Sequence, residues 1–164
     1  MSTKKIQDPN LKRYLDEHNI SFKLFEHPAV FTVAESDKVT THIPGARTKN
    51  LFLKDENKKY YLVCMPGEKR LNLNSLKEKL KLKKLHFAKP EELKEELNLT
   101  PGSVSIFGMI NSKETKLIID KDIWDAKEIG SHPNINTATL VFSHEDLEKF
   151  CASLSKNPEV IQIE

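Results

Sequence analysis

Apolar residues along this chain fall into short runs whose period switches repeatedly between that of a helix and that of a strand. After Asp8-Pro9, the residues Leu11, Tyr14 and Leu15 recur at helical spacing, with Asp8 as the cap and Pro9 at the first helical position. Phe22 to Phe25 predicts a short strand, which His27-Pro28 ends because a residue before proline avoids the helical region. Thr32-Val33-Ala34-Glu35 has capping-box spacing and predicts a helix running to about Thr41. Arg47 to Asp55 and Lys58 to Met65 predict two strands joined by the polar turn Asp55-Glu56-Asn57, a hairpin that Pro66-Gly67 closes.

The alternation continues beyond it. A helix is predicted near Asn74 to Leu80, where Ser75 and Glu78 have capping-box spacing, and a short strand over Leu85 to Ala88. Pro90-Glu91-Glu92 starts another helix, with its acidic residues well placed against the helix dipole. Thr100-Pro101-Gly102 ends that element, and Ser103 to Ile110 reads as a strand containing Gly108, where a missing side chain would allow a close backbone approach. Lys116 to Asp120, Ile129 to His132 and the β-branched run Thr137 to Phe142 predict further strands. Ser143, with Asp146 three residues on, caps a last helix that buries Leu147, Phe150 and Leu154; Pro158 to Ile163 predicts an edge strand. Helices interspersed with short strands, and no Gly-rich turn after any of them, indicate an α+β fold rather than a doubly wound sheet.

A length of 164 residues suits one domain, expected to span residues 1–164, with enough chain for a real core. The net charge of +2 is too small to give the whole surface an electrostatic footprint for nucleic acid, so an RNA partner would need a local basic patch. Lys77, Lys79, Lys81, Lys83 and Lys84 form the first candidate for one, although such a run is more often simply a solvated face. No apolar run approaches the ~20 residues that span a bilayer, and the start of the chain lacks the apolar segment of a signal peptide, so a cytosolic protein is expected. Cys64 and Cys151 stand alone, without a second cysteine at metal-ligand spacing, and read as small buried hydrophobes. There is no Gly-x-Ser-x-Gly elbow and no His-Glu-x-x-His.

Two stretches remain that could carry chemistry. In the first, Pro44-Gly45 leads through Arg47-Thr48-Lys49-Asn50 into Leu51-Phe52-Leu53, which puts Lys49 and Asn50 at the mouth of a strand. In the second, Ile129-Gly130-Ser131-His132-Pro133-Asn134-Ile135-Asn136-Thr137-Ala138-Thr139-Leu140, the residue His132 falls in a loop between strands. With Pro66-Gly67 followed by Leu71-Asn72, and Pro101-Gly102-Ser103-Val104 followed by Phe107-Gly108, these blocks stand in an order that resembles the YbaK/prolyl-tRNA-synthetase-associated editing-domain family in its free-standing, ProX-type form. The similarity runs from about Leu11 to Phe150.

The resemblance implies a mixed, mostly antiparallel sheet flanked by helices. It also implies a trans-editing deacylase that hydrolyses the ester of mischarged tRNA for proline, without a metal or other cofactor. Its partner would be the 3′ acceptor end of that tRNA, with prolyl-tRNA synthetase a candidate second partner; neither DNA nor a membrane is expected. By the same resemblance Lys49 anchors the phosphate or ribose of the 3′ end, and Asn50 adds a side-chain amide. Gly108 brings backbone close to the aminoacyl group, while Ser131, His132 and Asn136 orient substrate and water rather than act as nucleophiles. Phe31 helps to wall the aminoacyl pocket, or is plain core. The His-Pro-Asn block with Asn-Thr-Ala-Thr is more similar to the alanine-specific branch than to the branch that removes cysteine. Alternatives are a Cys-tRNA deacylase and a catalytically silent tRNA-binding or regulatory module.

Overall fold

The hairpin is the spine of the molecule. In the computed structural model, described here over residues 8–28, 43–135, 137–154 and 157–163, strand β2 (Ala46–Asp55) pairs antiparallel with β3 (Tyr60–Pro66), with Asn50 opposite Cys64 and Lys49 opposite Met65. Its turn is held by one carboxylate. Asp55 accepts hydrogen bonds from the backbone N–H groups of Asn57 and Lys59 and from the Tyr61 hydroxyl, at 2.8, 3.0 and 2.8 Å.

Around this pair one mixed sheet of eight strands assembles in the order β1-β7-β6-β2-β3-β5-β8, with β4 also paired to β2. Strands β1 (Lys23–Glu26) and β7 (Ala138–Ser143), β6 (Glu128–Ser131) and β7, and β4 (Leu85–Phe87) and β2 join antiparallel. The β2–β6 pair, the β3–β5 pair with β5 at Lys116–Asp120, and the β5–β8 pair with β8 at Glu159–Ile161 are parallel. Strands β3 and β5 are buried almost throughout because both faces of the sheet are covered. One face carries the larger core, including Leu11, Leu15, Phe52, Leu62, Cys64, Leu117, Ile119, Leu140, Phe142 and Phe150. The other packs Leu53, Tyr61, Val63, Met65 and Ile118 against Leu76.

Helix α1 (Pro9–Glu17) starts as expected: Asp8 accepts from the N–H groups of Asn10 and Leu11. Helix α2 (Leu73–Lys79) starts one residue earlier than predicted, and its cap is Asn72, which accepts from the Ser75 N–H; the Ser75–Glu78 spacing is not the start signal. Helix α3 (Pro90–Leu97) and the short α4 (Lys121–Trp124), the latter unforeseen, precede α5 (His144–Ser153), capped by Ser143 through the Asp146 N–H at 3.1 Å.

The strand predicted over Ser103 to Ile110 does not form. A 3₁₀ helix occupies Ile106–Asn111, started by Ser105, whose hydroxyl accepts from the Phe107 N–H at 3.1 Å. Ile106, Phe107, Gly108 and Met109 are all buried, so no alternation of inner and outer faces was there to be read. The helix predicted from Thr32 to Thr41 lies outside the described residues, as do Phe31 and Asn136. No helix among the described residues is long and apolar enough to cross a membrane.

Glu96 ties the loop after this 3₁₀ turn to α3. Its Oε1 accepts from the N–H groups of Lys113 and Glu114 and from the Thr115 hydroxyl, at 2.9, 2.7 and 3.0 Å. Burial alone would raise its pKa, but these donors together hold it below the usual range. Glu96→Ala strands the buried Thr115 hydroxyl and two part-buried N–H donors and should destabilise the protein by roughly 2–4 kcal/mol. Urea denaturation of the two proteins checks this.

Candidate active site

The strand period places the residues of the first motif. Side chains alternate across β2, so Thr48, Asn50 and Phe52 face the larger core, while Lys49, Leu51 and Leu53 face the smaller one. Lys49 and Asn50, neighbours in sequence, therefore point to opposite sides of the sheet. They meet again at the edge of the strand. Among the described residues, β6 pairs that edge only at Ala46 and Arg47, and β4 only at Leu53 to Asp55, which leaves Lys49 to Leu51 between them.

On the larger-core face the two motifs come together. Arg47 lies beside Gly130, the last pair of the β2–β6 register; Thr48 and Ser131 are the next residues along the two strands, and Asn50 is two further along β2 on the same face as Thr48. The Thr48 hydroxyl fastens this corner by donating to the Gly130 carbonyl at 2.7 Å. Ser131 sits opposite Leu140 on the same face. The Asn50 Oδ1 and Ser131 Oγ atoms are both buried without a hydrogen-bond partner among the described residues, and so is Asn134 Oδ1 in the loop that follows. An orphaned buried polar atom costs about 1–3 kcal/mol, which makes such a cluster a feature that needs a reason.

His132 leads that loop. Its Nδ1 lies 3.0 Å from the Ala138 carbonyl oxygen, which can only accept, so Nδ1 carries the proton and Nε2 holds the lone pair of the neutral ring. Burial pushes the imidazole pKa down, more than the Ala138 bond raises it, and His27 adds to the fall. The His27 ring is 6.1 Å away, oriented by its own Nδ1 donating to the Pro28 carbonyl and by Thr139 Oγ1 at 2.9 Å from Nε2. The loop is pinned from two further sides. The Ser105 hydroxyl donates to the His132 carbonyl, and Asn134 Nδ2 donates to Asp8 Oδ2 at 3.3 Å.

The folded protein binds the His132 proton more weakly than an unfolded chain does. Stability should therefore be complete above the ordinary value of 6.5 and fall as pH drops from there through the lowered one. The denaturation midpoint of the native protein is expected to drop more between pH 7 and pH 5 than that of His132→Asn, which keeps a donor for Ala138 but does not titrate. Equal drops would contradict the assignment.

Lys49 is held from the other face. Its ammonium donates to the Lys69 carbonyl, and burial lowers its pKa while Glu68 opposes that shift. Lys69 is itself fixed by Asp120 and Asp122, at 3.0 and 2.7 Å, and by the Ile163 carbonyl at 2.9 Å. An ammonium has three donors, so with one bond to Lys69 among the described residues two of those on Lys49 remain for a ligand.

The structure does not place Gly108 with these groups by any contact. A Cβ built there would lie 2.6 Å from Leu99 Cδ1, so the close approach that its missing side chain allows is to Leu99. Cys64 and Cys151 are buried, and burial pushes both thiols up, Cys151 to about 12; neither is a thiolate at neutral pH. Among the described residues no three His, Cys, Asp or Glu side chains are grouped to hold a metal ion. Thr48, Ser105, His27 and Thr139 escaped the sequence reading as contributors to the site. Thr48 and Thr139 had a signal, since they sit inside the first and second motifs.

Among the described residues, orphaned oxygens and a neutral histidine in the two motifs, with a fixed ammonium on the opposite face of β2, make a candidate site for binding and orienting a ligand. The comparisons give it a family. A family model described as aminoacyl-tRNA editing domain matches residues 27–150. The chain is 36% identical over 152 residues to the prolyl-tRNA editing protein ProX of Acetoanaerobium sticklandii, covering 91% of this chain and 93% of that protein. It is 30% identical over 158 residues to prolyl-tRNA synthetase associated domain-containing protein 1 of Danio rerio, covering 94% and 86%. The solved structure of a candidate trans-editing enzyme for prolyl tRNA synthetase matches with a TM-score of 0.74 over 96% of this chain and 98% of that one, at 20% identity, a likeness of fold alone.

This chain belongs to the aminoacyl-tRNA editing domain family. Its class is thereby that of an aminoacyl-tRNA hydrolase, since editing removes a wrong amino acid by hydrolysing its ester to the tRNA.

Proposed function

We propose that the protein is a trans-editing deacylase for mischarged tRNA for proline, with the alanyl ester as its substrate. The observations that carry this reading are the buried Asn50 Oδ1 and Ser131 Oγ atoms, without partners among the described residues, and the neutral His132 that follows Ser131 in the second motif. These acceptors and donors suit the ammonium, hydroxyl and ester groups of an aminoacylated 3′ end. The relatives named for prolyl-tRNA editing supply the tRNA.

The chemistry asks little of the protein. The ester is activated, and the 2′-hydroxyl of the terminal adenosine lies beside it. Positioning a water and stabilising the oxyanion with fixed donors is sufficient. In this reading Lys49 holds a phosphate or the ribose from one side of the β2 edge. Asn50, Ser131 and His132 orient the aminoacyl group and the water from the other, with Asn136 and Phe31 expected to join them. Timed deacylation of one tRNA charged in turn with Ala, Cys and Pro tests the reading. The Ala ester should go fastest and the Pro ester should survive; loss of none of the three would refute it.

A further inference from the structure

Phe87 is the large hydrophobic side chain most open to solvent among the described residues, 54% exposed on the three-residue strand β4. A lone exposed apolar residue is ordinary. The surroundings of this one are not. Lys81, Lys83, Lys84 and Lys89 lie within six residues of it, all exposed, and none forms an ion pair among the described residues. Glu56, which accepts from the backbone N–H groups of Lys83 and Lys84 at 3.1 and 3.3 Å, stays ionised beside them, and Glu91 is exposed two residues from Lys89, so the four ammonium groups outnumber two nearby carboxylates. Lys79 is turned away, its ammonium bonded to the Gln162 carbonyl, and Lys77 is half-buried.

The register then decides which way the patch faces. Phe87 pairs with Leu53, and Leu53 shares its side of β2 with Lys49, so the exposed ring and the proposed anchoring lysine are on one face of the sheet. They are four residues apart along β2, roughly 14 Å at about 3.4 Å per residue. A few unstacked nucleotides cover that distance.

We infer that β4 and the turn before it form an RNA-docking surface. In it Phe87 stacks on a base of the single-stranded 3′ end or the open end of the acceptor stem, and Lys81, Lys83, Lys84 and Lys89 neutralise the flanking phosphates. An exposed π-face among free cations is the combination that single-stranded nucleic acid uses, whereas a protein partner would favour apolar area over charge. The inference rests on the editing reading for the identity of the RNA, but its test does not need hydrolysis.

The test is an anisotropy titration of fluorescein-labelled, uncharged tRNA for proline at several salt concentrations. Phe87→Ala and Phe87→Leu should each weaken binding by about 5- to 100-fold, and Phe87→Trp should restore it. The triple change Lys81→Ala/Lys83→Ala/Lys84→Ala should lower the salt slope by about 2, at about 0.7 per lost contact to a single strand. Val160→Ala, at the other large exposed hydrophobic among the described residues (39%), should bind as the native protein does. Native affinity in Phe87→Ala with an unchanged salt slope in the triple variant would overturn the surface, and native affinity in Phe87→Leu would overturn the stacking. The two readings fail separately. Hydrolysis by a protein whose patch variants bind normally removes the surface and leaves the editing. Patch-dependent binding without hydrolysis of any ester removes the editing and leaves the surface.

Discussion

Lys49→Ala is expected to fold and to hydrolyse its ester roughly 10²-fold more slowly, or worse. The fold should survive because the side chain lies at the free edge of β2, half-buried, with one hydrogen bond to the Lys69 carbonyl whose loss costs about 1 kcal/mol. The activity should not survive, because the ammonium is preorganised. The carbonyl that holds it belongs to a residue whose own side chain is fixed by Asp120, Asp122 and the Ile163 carbonyl. A cation held before the substrate arrives costs nothing to orient when charge develops, which is why one such group carries a few kcal/mol of the barrier. Lys49→Arg should be impaired too, since a planar fork does not replace a compact ammonium. Single-turnover rates and thermal unfolding on the same preparations separate the two effects. Near-native turnover in folded Lys49→Ala would remove Lys49 from the mechanism.

How far the sequence carried this account depends on how local each signal was. The hairpin was legible because its signals are short-range: β-favouring runs on either side of a polar turn, with Asp55 bonding Asn57, Lys59 and Tyr61. The caps of α1 and α5 were legible for the same reason. The 3₁₀ turn at Ile106–Asn111 was not, because four consecutive buried residues carry no period. At the candidate site, Lys49, Asn50, Ser131 and His132 were named from the two motifs, and the register brings those motifs together at Ala46–Ile129 and Arg47–Gly130. The opposite facing of Lys49 and Asn50 follows from the strand period. The partners that fix the His132 loop and its neighbour are remote, Ser105 lying 27 residues from His132 and His27 lying 112 from Thr139, and no pattern in one sequence points to either.

The second large effect expected is discrimination between amino acids. A synthetase pocket shaped for proline cannot exclude the smaller alanine sterically, so an editing site must reject by size what the first pocket accepts. Cys64, opposite Asn50, Leu140, opposite Ser131, and Phe52, two residues along β2, are all buried in the larger core. An aminoacyl pocket built against that packed layer would yield little to a pyrrolidine ring. Each extra carbon that must be forced in or left out is worth about 1–3 kcal/mol, so the Pro ester should be cleaved at least ~10²-fold more slowly than the Ala ester. Cysteine, intermediate in size, should be cleaved poorly.

The measurement that bears most directly on this account is the initial rate of hydrolysis on Ala-, Cys- and Pro-charged forms of one tRNA for proline, at equal enzyme concentration. The account predicts the order Ala, then Cys, with Pro at or near the uncatalysed rate. A Cys ester that goes faster than the Ala ester would contradict the substrate, and a Pro ester cleaved as fast as the Ala ester would contradict exclusion by size.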